Sequence, residues 1–549
     1  MRATAFPLAS ALVLMACGQP DSGDAPVAEE PIALYDGLGD LHRPITTDVP
    51  EAQAFFDQGL RLTYAFNHAE AIQSYEEALR LDPSCALCSW GSALAWGPNI
   101  NAAMDSASGA AAWAAITQAE MRATGASEKE QAFIRALGQR YAADPTADRA
   151  RLDSAYARAM GELARLHPDD DDALVLYADA LMNLSPWDYW TRAGQPKPAT
   201  REILTLLERV IGRSPSHPGA CHFYIHAVEA VQPERAVDCA ERLPSLMPAA
   251  GHIVHMPAHI FVRVGRYADA VRANEHAVHA DEEHLADFAP DGAYRLAYYP
   301  HNYHFMWFAA SMAGSGARAL EAARSTAANV NHELLRAPGF GALQHYLVTP
   351  QYALVRFGRW QEILAGPAPP EDLPYPMGVH HYARALAFVG LDRLPEAEVE
   401  LAALEQQRAA LRAVDFRIWE LNPASTNLVV AIHVVRAEIA AKKGDHAAAI
   451  EHARQGVVLE DAMLYDEPPT WHLPVRHTLG ALLLAAGRSA DAEAVYRQDL
   501  AKYPENGWSL FGLGESLRAQ DRAADADAIM DRFRAAWSAG DAELRASRF

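Results

Sequence analysis

Three stretches of the chain concentrate imidazoles at helical spacing. In PAAGHIVHMPAHIFVRVGRY, residues 248–267, His252, His255 and His259 fall at i, i+3 and i+7. CHFYIHAVEA places His222, His226 and Glu229 at i, i+4 and i+7, and HNYHFMWF places His301 and His304 at i and i+3. On a helix of about 3.6 residues per turn, each set shares one face. Neutral imidazole is the commonest nitrogen ligand of zinc, copper, nickel and iron. A mononuclear zinc site takes three or four ligands at about 2.0–2.1 Å. His-x-x-x-His on one turn is a local chelate, and Glu229 can serve as ligand or base. Phe223, not Glu, follows His222, so the stretch is not the H-E-x-x-H of zinc peptidases, and no hydrolase motif assigns a catalytic residue.

The elements that must position these groups read as helices throughout. In EAQAFFDQGLRLTYAFNHAEAIQSYEEALRLDPS, Phe55, Gly59, Leu62, Ala71, Tyr75, Ala78 and Pro83 stand at the spacing of a tetratricopeptide repeat. The small residues let two antiparallel helices approach, aromatic side chains fill the gap, and Pro83 ends the second helix. The signature recurs at Ala236, Ala240 and Pro248, and again one period on at Ala270. It returns in SGARALEAA, FGRWQEIL, LPEAEVELAAL and GDHAAAIEHARQGV, and at Gly480, Leu483, Ala492, Tyr496 and Pro504. Residues 508–537 read as a polar cap. The predicted fold is an all-α tetratricopeptide-repeat α-solenoid, a superhelix of helix pairs with insertions. Pro257 breaks the helix that carries His252, His255 and His259 near Met256. In such a solenoid the first helix of each pair lines the concave side, with neighbouring axes about 8–10 Å apart. The histidines are therefore expected to line a shared groove. Two loops accompany them. Residues 185–200 hold Trp187, Tyr189 and Trp190, either as packing or as a lid over the groove. GPNINAAMD offers Asn99 and Asn101 at a turn, where capping is the default. Arg263 is one of two cations near enough to bind a carboxylate in the groove.

Composition narrows the partners. The 549 residues are 50% hydrophobic and 21% charged, with a formal net charge of -23. That acidity, without a basic run, argues against a nucleic-acid partner. The N-terminal MRATAFPLASALVLMACGQ resembles a bacterial lipoprotein signal in which Cys17 becomes the lipidated N-terminus. Removing residues 1–16 takes away Arg2 alone, so the charge becomes -23 - 1 = -24. Gly18 in place of an inner-membrane retention Asp points to a lipid-anchored protein on the periplasmic face of the outer membrane. No other stretch reads as long and apolar enough to span a bilayer. Residues 17–48, rich in Pro, Gly, Asp and Glu, read as a disordered tether and an extended lead-in. Cys85 and Cys88 are spaced for a disulfide, a thiol redox couple or half of a metal site, and Cys221 and Cys239 read as single cysteines.

FNHAEAIQSYEEALRLDPSCALCSWGSALAWGPNIN, PWDYW, HPGACHFYIHAVEA, GHIVHMPAHIFVRVGRY and HNYHF together resemble a large family of bacterial tetratricopeptide-repeat proteins. Cys221 stands where that pattern carries Asn. The resemblance implies an exported helical solenoid and names no substrate. The predicted plan is a signal at 1–16, tether and lead-in at 17–48, a repeat unit at 49–110, and a helical segment with the aromatic loop at 111–215. Central His-rich repeats follow at 216–365, and C-terminal repeats with their cap at 366–549. Two functions of different class are expected. One is a scaffold that binds a protein, peptide or small ligand in a His-lined groove. The other is a metal-binding protein or metalloenzyme holding zinc or copper.

Overall fold

A computed structural model describes residues 32–284, 292–337, 339–411 and 416–549. The signal segment, Cys17 and residues 17–31 of the tether lie outside the described residues. Helices follow one another from Pro50–Tyr64 to Ala523–Ala536, and the sheet among the described residues is one short hairpin, Arg417–Ile418 against Asn422–Pro423. The chain folds as two compact units. Among the described residues, the first lies within Met1–Ile260 and His276–Tyr298, the second within Phe261–Glu275 and Tyr299–Phe549. The central segment 216–365 is thus divided: His222 to His259 belong to the first unit, His301 and His304 to the second.

The repeats show themselves in their turns. Eight helix-to-helix turns among the described residues close with the same bond, an N–H reaching back five residues to a carbonyl. It runs from Asn67 to Leu62 at 3.0 Å, Arg266 to Phe261 at 2.7 Å, Ser315 to Ala310 at 3.0 Å and Arg359 to Leu354 at 3.0 Å. It recurs from Arg393 to Phe388, Asp445 to Ala440, Arg488 to Leu483 and Arg522 to Leu517. This is the Schellman closure, which needs a left-handed residue just before the donor. Glycine supplies it at Gly265, Gly314, Gly358, Gly444 and Gly487, Asp at Asp392 and Asp521, and Phe at Phe66 with φ 60°. A residue with a Cβ meets a cost of roughly 1–2 kcal/mol in that conformation.

Close approach of the helices is equally repetitive. Tyr75, on His68–Leu81, lies with its ring between Gly59 and Gly91; a Cβ on Gly59 would come within 2.7 Å of it and one on Gly91 would overlap it. Tyr496 is held in the same way between Gly480 and Gly512. The spacing of Gly59 with Tyr75, and of Gly480 with Tyr496, foretells this packing.

The lead-in is ordered where it is described. Residues 32–48 are an extended lead-in held within the first unit. The reason is a set of polar anchors that composition hides. Arg43 is buried and donates to Asp172 at 2.8 Å and Asp170 at 3.0 Å; its backbone N–H donates to Asp57 at 3.0 Å. Gly37 C=O accepts from Ala249 N–H at 3.0 Å, and Gln58 accepts from Tyr35 N–H at 2.7 Å. Asp170 also caps Asp171–Met182, so the acidic run at 169–172 opens a helix, as the macrodipole favours. One expectation changes. Helix Ala424–Lys442 has a mean hydropathy of 1.2 and is long and apolar enough to cross a membrane by length and composition. It is mostly buried and packs against Pro374–Gly390, Leu394–Leu411 and His446–Ala462, which is why a core helix passes the same test.

A candidate metal centre in the first unit

Helix Pro218–Val228 is buried at every position, so its imidazoles are inside whichever way it turns. His217 caps it through Ala220 N–H, and Pro218 occupies its first position. Glu229 follows at its C-terminal cap. Helix Gly251–His255 begins where Gly251 packs so closely on Asp281 that a Cβ would overlap the carboxylate. The chain breaks at Met256, as Pro257 requires, and continues as Pro257–Arg263.

These two elements bring His222, His226, Glu229, His252, His255 and His259 together. Each is at most 3% exposed. They do not line an open groove, because both helices are covered on all sides. The expectation of a His-lined groove is corrected on this point: side chains so deeply buried cannot touch a docked peptide.

The hydrogen bonds assign the ring protons. His222 Nδ1 lies 2.7 Å from the Tyr64 carbonyl oxygen, which can only accept, so Nδ1 carries the proton and Nε2 is a bare lone pair. His226 Nδ1 lies 3.2 Å from Glu229 Oε1, so it donates there and its Nε2 is bare; that Nε2 has no hydrogen-bond partner among the described residues. His252 Nε2 faces His222 Nε2 at 3.2 Å, while His252 Nδ1 has no hydrogen-bond partner there. His259 Nδ1 meets Glu229 Oε2 at 2.6 Å, and its Nε2 meets His255 Nε2 at 2.9 Å. Glu229 thus takes one imidazole on each carboxylate oxygen.

The charge states follow from burial. Burial, and then the neighbouring imidazoles, hold His222 and His252 well below the usual histidine range. His226 is lowered by burial against the pull of Glu229. Burial by itself would raise Glu229; His259 and His226 outweigh it and bring the carboxyl down to about 2. Glu229 is therefore ionised, beside rings at His222, His226 and His252 that burial keeps neutral.

Two metal-ligand sets lie wholly within the first unit. One ligand atom each from His222, His226 and His252 lie within 4.8 Å of one another, as do those of His226, Glu229 and His259. Ligands 2.0–2.1 Å from a tetrahedral zinc stand about 3.3–3.4 Å apart. The 3.2 Å between His222 and His252 is within about 0.2 Å of that separation. The outer nitrogens of His222 and His226 are anchored by a carbonyl and a carboxylate, the arrangement that fixes tautomer and ring orientation in metal sites; that of His252 is not.

Depressed histidine and carboxylate values act in the same direction on stability. The unfolded chain takes up protons near pH 6.5 that the buried rings refuse, and Glu229 must stay ionised to hold His226 and His259. Stability is thus full above the unfolded values and falls as pH drops through about 6.5 toward the folded values. The metal-free protein is expected to unfold at a clearly lower temperature at pH 5 than at pH 8. Thermal scans at the two pH values check this, with each buried neutral His contributing up to about 1.4 kcal/mol per pH unit over its window.

The other expected site residues are distributed. Trp187 lies with its ring against His226, centroids 5.1 Å apart, and Trp190 Nε1 donates to the Ala227 carbonyl at 2.8 Å. Tyr189 is buried beneath them, its backbone carbonyl accepting from Lys197 N–H at 3.0 Å. The aromatic loop therefore sits on the His-bearing helix. Asn99 accepts from Asn101 and Ala102 N–H, which makes it a turn cap, and Asn101 donates to the Tyr298 hydroxyl at 3.2 Å. Arg263 belongs to the second unit, 3.8 Å from the Glu467 carboxylate and over the Tyr465 ring. His301 and His304 are there too, ring centroids 6.2 Å apart. His304 is buried, stacks on Trp307 and lies beside His345, whose Nδ1 meets the Tyr375 hydroxyl at 2.8 Å. Cys85 and Cys88 form a disulfide. So do Cys221 and Cys239, which corrects their reading as single cysteines: their two helices face each other with Cα atoms 5.3 Å apart. The residues missed from sequence are Tyr64, Phe66 and the pair Tyr294 and Asp281. The Tyr294 hydroxyl accepts from His252 N–H at 2.9 Å and donates to Asp281 at 2.6 Å. Aligning the repeat turns would have exposed Phe66; nothing local marks the others.

Residues 52–85 match the family model described as tetratricopeptide repeat. The chain is built on this repeat. The match covers the first hairpin, where Gly59, Tyr75 and Pro83 stand. No curated protein matches the chain. Among solved structures, a human IFIT1 dimer with PPP-AAAA is similar at 12% identity and a TM-score of 0.33, covering 88% of this chain and 90% of that one. The APC/C hetero-tetramer Cut9–Hcn1 is similar at 13% identity and a TM-score of 0.30, covering 88% and 73%. Scores at this level carry no argument about function.

Proposed function

We propose that this tetratricopeptide-repeat protein binds a transition metal, zinc or copper, at His222, His226 and His252, with Glu229 positioning His226 and His259. Repeat scaffolds bind proteins or ligands, and here the ligand that the buried residues suit is an ion. One observation carries the reading: fixed tautomers leave lone pairs on His222 and His226 next to His252, inside the protein. His252 Nε2 faces the bare His222 Nε2 at 3.2 Å, a contact that calls for a proton or a cation between the two. A proton on His252 satisfies one of them; a metal cation satisfies all three rings. A protein or peptide partner would dock on the outer repeat faces, away from these rings.

From the N-terminal sequence we also propose that the protein lies in the cell envelope, lipid-anchored through Cys17 on the periplasmic face of the outer membrane. Two disulfides support an oxidising compartment. The test of the metal reading is elemental analysis of untagged protein purified without chelator. One zinc or copper per chain is the expected result. Protein without metal that also takes up neither ion on titration would overturn it.

A further inference from the structure

This inference rests on the metal reading above and concerns what surrounds the three rings. At seven of the eight Schellman turns the left-handed position is Gly or Asp, residues that adopt it readily. At the eighth it is Phe66. Its ring is buried and centred 4.6 Å from His222, 5.5 Å from His252 and 6.3 Å from His226, stacked on the last two. Phe66 thus touches all three proposed ligands from a position where a bulky side chain is disfavoured. A second aromatic residue repeats the anomaly. Trp187 also has a left-handed backbone, φ 62°, and sets its ring edge against His226. Unlike Phe66, Trp187 keeps part of its surface accessible while its ring lies against the buried His226. Strained residues persist where the surrounding structure needs them, and two of the three left-handed aromatics among the described residues, all but Trp419, meet at this one cluster.

We propose that Phe66 and Trp187 form the aromatic shield of the metal position and govern exchange of the ion. Phe66 is the fixed inner wall. Trp187, on the loop at 185–200, is the leaf on the solvent side through which the ion enters and leaves. An apolar wall controls solvent access to a metal and lowers the local dielectric, which slows ligand displacement by water.

The experiment loads the full chain with zinc and follows its release to excess EDTA. Trp187→Ala is expected to release zinc at least about ten-fold faster than wild type, with one zinc per chain still bound before EDTA is added. Phe66→Gly and Phe66→Ala both remove the ring and are expected to speed release alike. The Gly variant should unfold at a higher denaturant concentration than the Ala variant, because only Gly relieves the turn. If Trp187→Ala fails to fold, Trp187→Leu replaces it with the same expected direction. Release at the wild-type rate from the Trp187 and Phe66 variants would overturn the shield and leave the metal reading standing. Loss of zinc stoichiometry in Trp187→Ala would also overturn it, since a shield is not a ligand. Wild-type protein that takes up no zinc would overturn the metal reading and the shield together.

Discussion

Replacing His252 by Ala is expected to abolish metal uptake while the first unit stays folded. His252 Nε2 faces His222 at the separation of two ligands on one ion. Loss of an outer-shell partner costs a metal site about 10–100-fold in affinity, and loss of a ligand should exceed that. Stability gives a second readout. An ion that binds only the native state at about 1,000 times its dissociation constant stabilises by about 4 kcal/mol. Wild-type protein should show that gain on adding zinc or copper, and His252→Ala should show none. His222→Gln, which keeps a donor for the Tyr64 carbonyl, should lose the gain in the same way. His304→Ala, in the second unit, should leave uptake unchanged. Full uptake by His252→Ala would mean that the rings form a hydrogen-bonded network and nothing more.

The second large effect is mechanical. Gly91→Ala would press a methyl group into the Tyr75 ring. That ring cannot retreat: Gly59 meets its other side, and its hydroxyl is held by Thr63 at 3.1 Å. Overpacking of a well-filled core costs about 1–3 kcal/mol, and here the upper end, about 3 kcal/mol, is expected. Urea unfolding of the full chain, followed through the first unit, should show the loss. Gly444→Ala is the useful contrast. Nothing lies near its Cβ direction, so it feels only the left-handed backbone, at about 1 kcal/mol. Equal losses in the two variants would show that the clamp on Tyr75 is not tight.

These contrasts show which parts of the molecule can be read from the chain. Gly59 with Tyr75 and Gly480 with Tyr496 are legible because close helix contact demands a missing Cβ at a fixed offset. The break at Pro257 is legible for the same local reason. Grouping of His222, His226, His252, His255 and His259 follows from their shared faces, but their depth does not. CHFYIHAVEA is apolar around most of its circumference, so periodicity cannot tell an inner face from a groove face. The Cys221–Cys239 bond depends on two helices facing each other, which spacing alone leaves open. Arg43 escapes notice because it sits in a stretch whose Pro, Gly and acid content suggests a loose tether. Its partners Asp170 and Asp172 lie far along the chain.

The interleaving of the two units limits how the protein can be dissected. The first unit takes back residues 276–298 after the chain has already entered the second. A fragment ending at Ile260 would contain all six clustered side chains yet lack Tyr294 and Asp281. The backbone amide of His252 would then lose its acceptor, and Gly251 its close-packed neighbour. Truncation at an apparent repeat boundary would therefore yield a piece that carries every candidate ligand in a weakened frame. For recombinant work the indivisible segment runs at least to Tyr298, and gain or loss of whole repeats, the usual route by which such arrays diversify, is barred across it.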